Sequence, residues 1–131
     1  MITSIDHIVL TSKDVDKTIE FYTKILGMTL EQFPVANEQN KRLALKFGNQ
    51  KINIHDASSP FSPHANNPTS GSIDICFLSH VDLTEWSKIF AANNITIENG
   101  PIRKTGATGS LMSLYVRDPD GNLIEISNTN A

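Results

Sequence analysis

The sequence predicts an α+β fold in which two βαβββ modules form a single curved eight-stranded sheet around a cleft. One order of elements, strand-helix-strand-strand-strand, occurs twice along the 131 residues. A stretch rich in Ser, Pro and Asn, with no hydrophobic period, separates the two copies. Neither copy can bury its sheet alone, so both are assigned to one domain, residues 1–131. Module one is 1–57, the linker is 58–71, and module two is 72–131.

Hydrophobic spacing places the elements of the first module. Alternation in IDHIVL predicts a strand, and apolar residues at helical spacing, such as Val15, Ile19 and Tyr22, predict a helix. Ser12 or Asp14 can cap the first turn of this helix. The predicted elements are a strand at 5–10, a helix at 12–26 that ends before Gly27, and strands at 28–35, 41–47 and 50–56, with Gly48-Asn49 as a tight hairpin turn.

The second module repeats this order and closes on a hairpin. A helix begins at Asp82 or Thr84 and ends at Asn93-Asn94. The final turn lies in YVRDPDGNLIEIS, where Pro119 fixes φ and Gly121 can adopt a left-handed conformation. The predicted strands are 72–79, 95–98 with a continuation towards 102, 111–117 and 122–127.

Composition excludes several classes of protein. The net charge of −3 argues against nucleic acid as the main partner. No apolar run is long enough to span a bilayer, and the N-terminus lacks the pattern of a signal peptide, so a cytoplasmic location is expected. Cys76 is the single cysteine, which excludes an internal disulfide and zinc sites built on several cysteines.

Polar residues recur at matched positions of the two modules. The first strand carries His7 in module one and Asp74 in module two, and the last strand carries His55 and Glu125. If the sheets close around one cleft, these four side chains converge. Imidazole and carboxylate groups suit a hard or borderline divalent ion, so the pattern predicts one Fe, Mn, Ni, Co or Zn ion. Two His and one carboxylate are also the ligands of non-haem Fe(II) oxygenases.

Each of these residues has a simpler explanation when it is considered alone. A single histidine on a strand is more often hydrogen-bonded than bound to a metal, and a single carboxylate there usually faces solvent. Glu125 illustrates this, because Ile124 and Ile126 point to the opposite face of the strand. The repetition of the pattern, rather than any one residue, favours the metal site.

Further residues are candidates for contact with a substrate. Tyr115 is expected beside Glu125 across the last hairpin, where its hydroxyl binds a substrate oxygen or the carboxylate, or where it packs as an ordinary half-buried ring. Arg103 and Lys51 can hold an anionic group of the substrate, and Asn53 shares a face with His55.

Three motifs in order carry a resemblance to a known family. These are IDHIVLTSKDVDKTIEFYTKILGM, GSIDICF and YVRDPDGNLIEIS. The chain resembles the vicinal oxygen chelate superfamily, which includes glyoxalase I, extradiol dioxygenases and bleomycin resistance proteins. KINIHD, SIDICF and GPIRKTGATGS make it most similar to the glyoxalase domain-containing protein 5 group.

This resemblance implies a function and a set of ligands. It implies a metal-dependent glyoxalase-like or dioxygenase-like enzyme that chelates a small substrate through neighbouring oxygens, with Glu125 as ligand or base. Asp74 departs from the family's usual His, so it is expected to bind the metal directly, to reach it through water, or to orient another ligand. A binding protein without turnover, of the bleomycin-resistance type, is the alternative. Uncovered sheet edges, together with the family's habit of pairing modules between chains, predict a homodimer.

Overall fold

The strands of this computed structural model, which describes residues 1–35 and 42–129, form two four-stranded sheets. Each sheet lies in its own compact unit, one spanning Met1–Gly71 and the other Ser72–Ala131. The α+β class and the doubled βαβββ order are therefore confirmed. The eight strands hydrogen-bond as two sheets of four rather than as one sheet of eight.

The first unit contains β1 (His7–Ser12), α1 (Val15–Glu20), a π-helical turn (Phe21–Ile25), β2 (Thr29–Phe33), β3 (Arg42–Phe47) and β4 (Gln50–Asp56). The order across its sheet is β1-β4-β3-β2, with β1 parallel to β4 and the other neighbours antiparallel. The second unit contains β5 (Asp74–Leu78), α2 (Leu83–Ala92), β6 (Asn99–Thr105), β7 (Ser110–Arg117) and β8 (Leu123–Thr129). The order across its sheet, β5-β8-β7-β6, repeats that of the first unit, and β5 is again parallel to β8. The predicted strand 28–35 ends just before the segment 36–41, which lies outside the described residues. Lys41, the predicted first residue of the next strand, belongs to that segment.

The first helix is shorter than its hydrophobic period predicts. Ser12 belongs to β1, and Asp14 is the N-cap, whose carboxylate accepts a hydrogen bond from the Lys17 amide at 3.2 Å. The α-helix changes to a π-helical turn after Glu20, and Gly27 then ends it with φ +79°. In the second module the Asp82 side chain makes no capping bond; Asn128 Oδ1 accepts from the Leu83 amide at 3.1 Å instead.

A bulge displaces β6 relative to the prediction. Asn99 pairs with Tyr115 and Ile102 pairs with Ser113, so three steps on β6 oppose two on β7. Gly100 lies within the bulge at φ +103°, and a Cβ there would collide with the Ser113 carbonyl oxygen. Glycine is therefore needed where the two backbones approach. The strand begins at Asn99 instead of residue 95.

One face of the second sheet forms the core of its unit. Helix α2 packs on β7 and β8, and Trp86 stacks on Phe90 with ring centroids 5.5 Å apart. The buried strand residues on this face are Leu114, Val116, Ile124 and Ile126. Because side chains alternate along a strand, Glu125 projects from the opposite face.

The DPDGN turn fixes the start of β5 against β8. Asn122 is 1% exposed, and its amide group donates to Asp118 Oδ2 at 2.8 Å. The side-chain oxygen of Asn122, Oδ1, accepts a hydrogen bond from the backbone amide of Ile73 at 2.9 Å. Asp118 Oδ1 in turn accepts from the amides of Asp120 and Asn122, both at 2.9 Å. The turn therefore sets the register in which Asp74 pairs with Leu123.

Candidate functional site

The face of the second sheet opposite α2 carries a row of polar side chains. The strand registers place Cys76 beside Glu125, and Glu125 beside Tyr115. Asp74 lies on the same face, two positions from Cys76 along β5. Asp74 and Glu125 are therefore diagonal neighbours on adjacent strands.

Serine hydroxyls hold the Glu125 carboxylate. Ser113 Oγ donates to Oε2 at 2.6 Å, and Ser127 Oγ donates to the same oxygen at 3.3 Å. The two hydroxyls are 2.7 Å apart, and Ser113 and Ser127 are both fully buried. Hydrogen bonds to an ionised acceptor are short and strong, so they fix the orientation of this carboxylate. Sequence reasoning missed both serines, although their alternation with Glu125 and Tyr115 was readable.

Tyr115 lies beside Glu125, as the hairpin register predicted. Burial, followed by the hydrogen bond with Glu125 and the charge of that carboxylate, raises the pKa of Tyr115 to about 12. The phenol is therefore neutral at physiological pH, and its one proton is donated to the Glu125 carboxylate.

Two cavities open on this face. One has a volume of about 510 Å³ and is lined by Asp74, Glu98, Asn99, Lys104, Tyr115, Arg117, Leu123 and Glu125. The other has a volume of about 520 Å³ and is lined by Cys76, Leu78, Lys104, residues 105–108, Leu111 and Glu125. Lys104 and Glu125 line both, so these two side chains mark where the cavities meet. Volumes of this size are typical of small-molecule sites.

The bulge in β6 decides which cation reaches the cavities. Lys104 pairs with Leu111 and faces them, whereas Arg103 pairs with Met112 on the opposite face of the strand. Arg103 is exposed and donates to Ser110 Oγ at 3.0 Å. The predicted substrate contact of Arg103 is therefore not supported by its position, and Lys104 occupies the place expected for it.

The first sheet presents its own polar face. His7 pairs with Lys51, Val9 with Asn53, and Thr11 with His55, so these side chains line the same face. The Lys51 ammonium lies 4.4 Å from the centre of the Phe33 ring. Lys51 and Asn53 line neither of the two cavities described above.

The registers correct the correspondence between the modules. Asn53 pairs with the residue two positions after His7, just as Glu125 pairs with the residue two positions after Asp74. The counterpart of Glu125 is therefore Asn53, and the counterpart of His55 is Ser127. His7 and His55 are four register positions apart, which is about 13 Å along the strands.

His7 and His55 have different surroundings. The His7 side chain is 44% exposed, and its Nδ1 lies 2.7 Å from Asp6 Oδ1. His55 is buried, with its ring edge-to-face on Phe61 at 5.6 Å between centroids. Burial, and secondarily the positive charges of Arg42 and His64, lower the pKa of His55, so it is neutral near pH 7.

Two buried polar atoms in the first unit lack partners. Within the described residues, neither Asn53 Oδ1 nor His55 Nδ1 has a hydrogen-bond partner. A buried unpaired oxygen is costly, so Asn53 Oδ1 is suited to a cation or a donor supplied by a ligand. Over residues 1–35 and 42–129, no three His, Cys, Asp or Glu side chains are grouped closely enough to form a metal site.

Known proteins match the chain over nearly its full length. The sequence profile of the Glyoxalase/Bleomycin resistance protein/Dioxygenase superfamily matches residues 4–126. Virulence protein STM3117 of Salmonella typhimurium is 46% identical over 97% of this chain and 85% of its own. Its crystal structure gives a TM-score of 0.90 and covers 99% of both chains.

Two further proteins are similarly close. Integron cassette protein VCH_CASS1, from the mobile metagenome of V. cholerae, is 43% identical with a TM-score of 0.91, over 99% of this chain and 98% of that one. Glyoxalase domain-containing protein RDO1 of Mycosarcoma maydis is 47% identical over 95% of this chain and 67% of its own. The resemblance indicated by the motifs is confirmed, while the narrower one to the glyoxalase domain-containing protein 5 group stays a prediction.

Proposed function

The chain belongs to the Glyoxalase/Bleomycin resistance protein/Dioxygenase superfamily, and we propose that it is a metal-dependent enzyme acting on a small substrate chelated through two neighbouring oxygens. The observation that carries this proposal is Glu125. Its carboxylate is oriented by two buried serines and lines two cavities of substrate size. A preorganised carboxylate in such a cavity is suited to hold a cation or to accept a proton.

The proposed ligands of one divalent ion are His7, Asn53, Asp74 and Glu125. Asn53 replaces His55 in this set because the register makes it the counterpart of Glu125 and leaves its Oδ1 buried and unpaired. An imidazole, an amide oxygen and two carboxylates are donors that fit Fe, Mn, Co, Ni or Zn. Asp74, with the shorter side chain, binds the ion directly or through a water molecule.

Residues of the chain supply the remaining chemistry. A bound divalent ion would act as a Lewis acid towards the two substrate oxygens. The neutral hydroxyl of Tyr115 donates to Glu125 in this structure, and it can turn this hydrogen bond towards a substrate oxygen that gains negative charge. Glu125, when it is not held as a ligand, can accept a proton from the carbon next to that oxygen. Ser113 and Ser127 keep the carboxylate in position for either role.

A second candidate function is binding without turnover. The lining of the second cavity includes Leu78 and Leu111, and Leu78, the last residue of β5, is 65% exposed. An exposed leucine at a cavity suits a hydrophobic ligand. In this alternative the chain sequesters a small compound, as proteins of the bleomycin-resistance type do.

We also propose that the chain forms a homodimer. Light scattering at micromolar protein concentration tests this by measuring the molecular mass.

Metal content tests the enzyme proposal. Untagged protein should contain about one divalent ion per chain, and calorimetry of the chelator-treated chain should detect rebinding. Glu125→Ala removes a ligand and should weaken binding more than the roughly 10–100-fold typical of outer partners. Glu85→Ala is the matched control, because this exposed carboxylate on α2 is paired with Lys88 away from the cavities.

The same titrations separate the remaining alternatives. His55→Ala should bind the ion as wild type does, whereas Asn53→Ala should weaken it. An opposite result would restore His55 as the ligand. Calorimetry that detects no binding of Mn, Fe, Co, Ni or Zn would rule out the metal enzyme and leave sequestration as the proposal.

A further inference from the structure

We propose that Lys104 anchors an anionic group of the ligand, so that the substrate is a small organic anion with an apolar arm. This inference deepens the proposed function and rests on it for the placement of the reacting oxygens at Glu125. The anion subsite itself consists of residues of the second unit only.

Lys104 occupies the junction of the two cavities. It lines both, as Glu125 does, and it is half-buried on β6. Its ammonium lies 5.6 Å from the centre of the Tyr115 ring. A ligand in either cavity therefore lies beside Lys104 as well as Glu125.

The ammonium group of Lys104 has no counter-ion within residues 1–35 and 42–129. In the described part of the chain its one recorded interaction is the ring contact with Tyr115, and no carboxylate pairs with it. Arg117, the other cation lining a cavity, is held by Glu98 through hydrogen bonds of 2.9 and 3.3 Å and by the Gly121 carbonyl oxygen at 3.2 Å. The ammonium of a half-buried lysine that has no counter-ion can form a charge-assisted hydrogen bond with an anionic ligand.

Apolar residues continue from Lys104 along the second cavity. Leu78 and Leu111 lie there with the loop 105–108. The loop packs closely on Leu111, since a Cβ on Gly106 would lie 2.9 Å from the Leu111 side chain and 2.9 Å from the Gly109 carbonyl oxygen. The wall therefore has a defined shape suited to an apolar arm. An anionic group at Lys104 and an apolar arm beside Leu78 describe an amphiphilic organic anion, such as a carboxylate.

Hexanoate is the probe of this subsite. The full chain, isotope-labelled, is titrated with sodium hexanoate and with uncharged hexanamide, and amide chemical shifts are followed with EDTA and again with one equivalent of Zn²⁺. Hexanoate should bind more tightly than hexanamide and shift the amides of Lys104 and Leu111. Lys104→Met should raise the Kd for hexanoate about tenfold. Lys104→Arg keeps the charge and should stay within about threefold of wild type.

Charge-matched variants complete the test. Lys88→Met, on the exposed face of α2, should leave hexanoate binding unchanged. Lys104→Gln provides a second neutral variant if the methionine variant associates. Equal hexanoate affinity in wild type, Lys104→Met and Lys104→Gln would overturn the proposal, as would a loss caused by Arg103→Met instead. If the chain binds no Zn²⁺ but hexanoate binding still depends on Lys104, the metal-enzyme proposal is refuted and the anion subsite is supported.

Discussion

Replacement of Asn122 by alanine should destabilise the second unit strongly. Asn122 is 1% exposed and connects two elements through its side chain. It donates to the Asp118 carboxylate at 2.8 Å and accepts from the Ile73 amide at 2.9 Å. A hydrogen bond to a charged group contributes about 1.5–3 kcal/mol and a neutral one about 1 kcal/mol. Asn122→Ala should therefore lower the free energy of unfolding by about 3 kcal/mol.

Urea unfolding followed by tryptophan fluorescence measures this loss. Trp86 is the one tryptophan of the chain and is 7% exposed in the core of the second unit, so its emission reports on the unit that contains Asn122. Asn93→Ala is the control, because the side chain of this exposed residue donates one hydrogen bond, to the Ile89 carbonyl oxygen at 2.8 Å. Its loss should be below about 1 kcal/mol.

The comparison between these variants can refute the reasoning. If Asn122→Ala costs no more than Asn93→Ala, the bonds to Asp118 and Ile73 do not hold the turn to β5. The DPDGN motif would then contribute through Pro119 and Gly121 alone, and the register that places Asp74 near Glu125 would need another explanation.

Two further predictions concern titrating groups. Glu125→Gln should lower the pKa of Tyr115 from about 12 towards its ordinary value, because it removes a charge and changes a hydrogen bond; ultraviolet absorbance during alkaline titration measures this, and Tyr115→Phe identifies the step. An unchanged titration in Glu125→Gln would leave burial, with the smaller effects of Cys76 and Asp74, as the cause of the raised pKa. Burial lowers the pKa of His55 below its ordinary 6.5, so the unfolded chain takes up the proton first; the free energy of unfolding should fall as the pH falls below 6.5, and His55→Phe should remove that part of the pH dependence.

The sequence by itself determined the order of the helices and strands. It also determined which side chains share a face in the last hairpin, β7 and β8. Hydrophobic periodicity gives the two helices, and Asp14 and Asn94 mark one start and one end, the latter with φ +57°. Strand alternation put Glu125 and Tyr115 together, because two strands joined by a short turn have a register that the turn sets. These are local effects, and a local pattern can encode them.

The pairing of distant strands is different, because no local pattern records it. An overlay of the last strands of the two modules pairs His55 with Glu125 as equivalent residues. The parallel registers of β1 with β4 and of β5 with β8 instead make Asn53 the equivalent of Glu125. Parallel strands are joined by a long crossover, so their register depends on packing of the helix and sheet rather than on a turn. The sequence pattern therefore does not distinguish Asn53 from His55, which lie two residues apart on the same face of β4.

The bulge at Gly100 shows the same limit within one strand. Without it, alternation from Asn99 would place Arg103 on the cavity face; the extra residue turns Arg103 outward and brings Lys104 in. The sequence predicts Arg103 as a cation that holds an anionic group of the substrate, and does not assign it to either face of the sheet. Only the tertiary structure decided which cation, because the close approach of Gly100 to the Ser113 backbone sets the alternation of every residue that follows in β6.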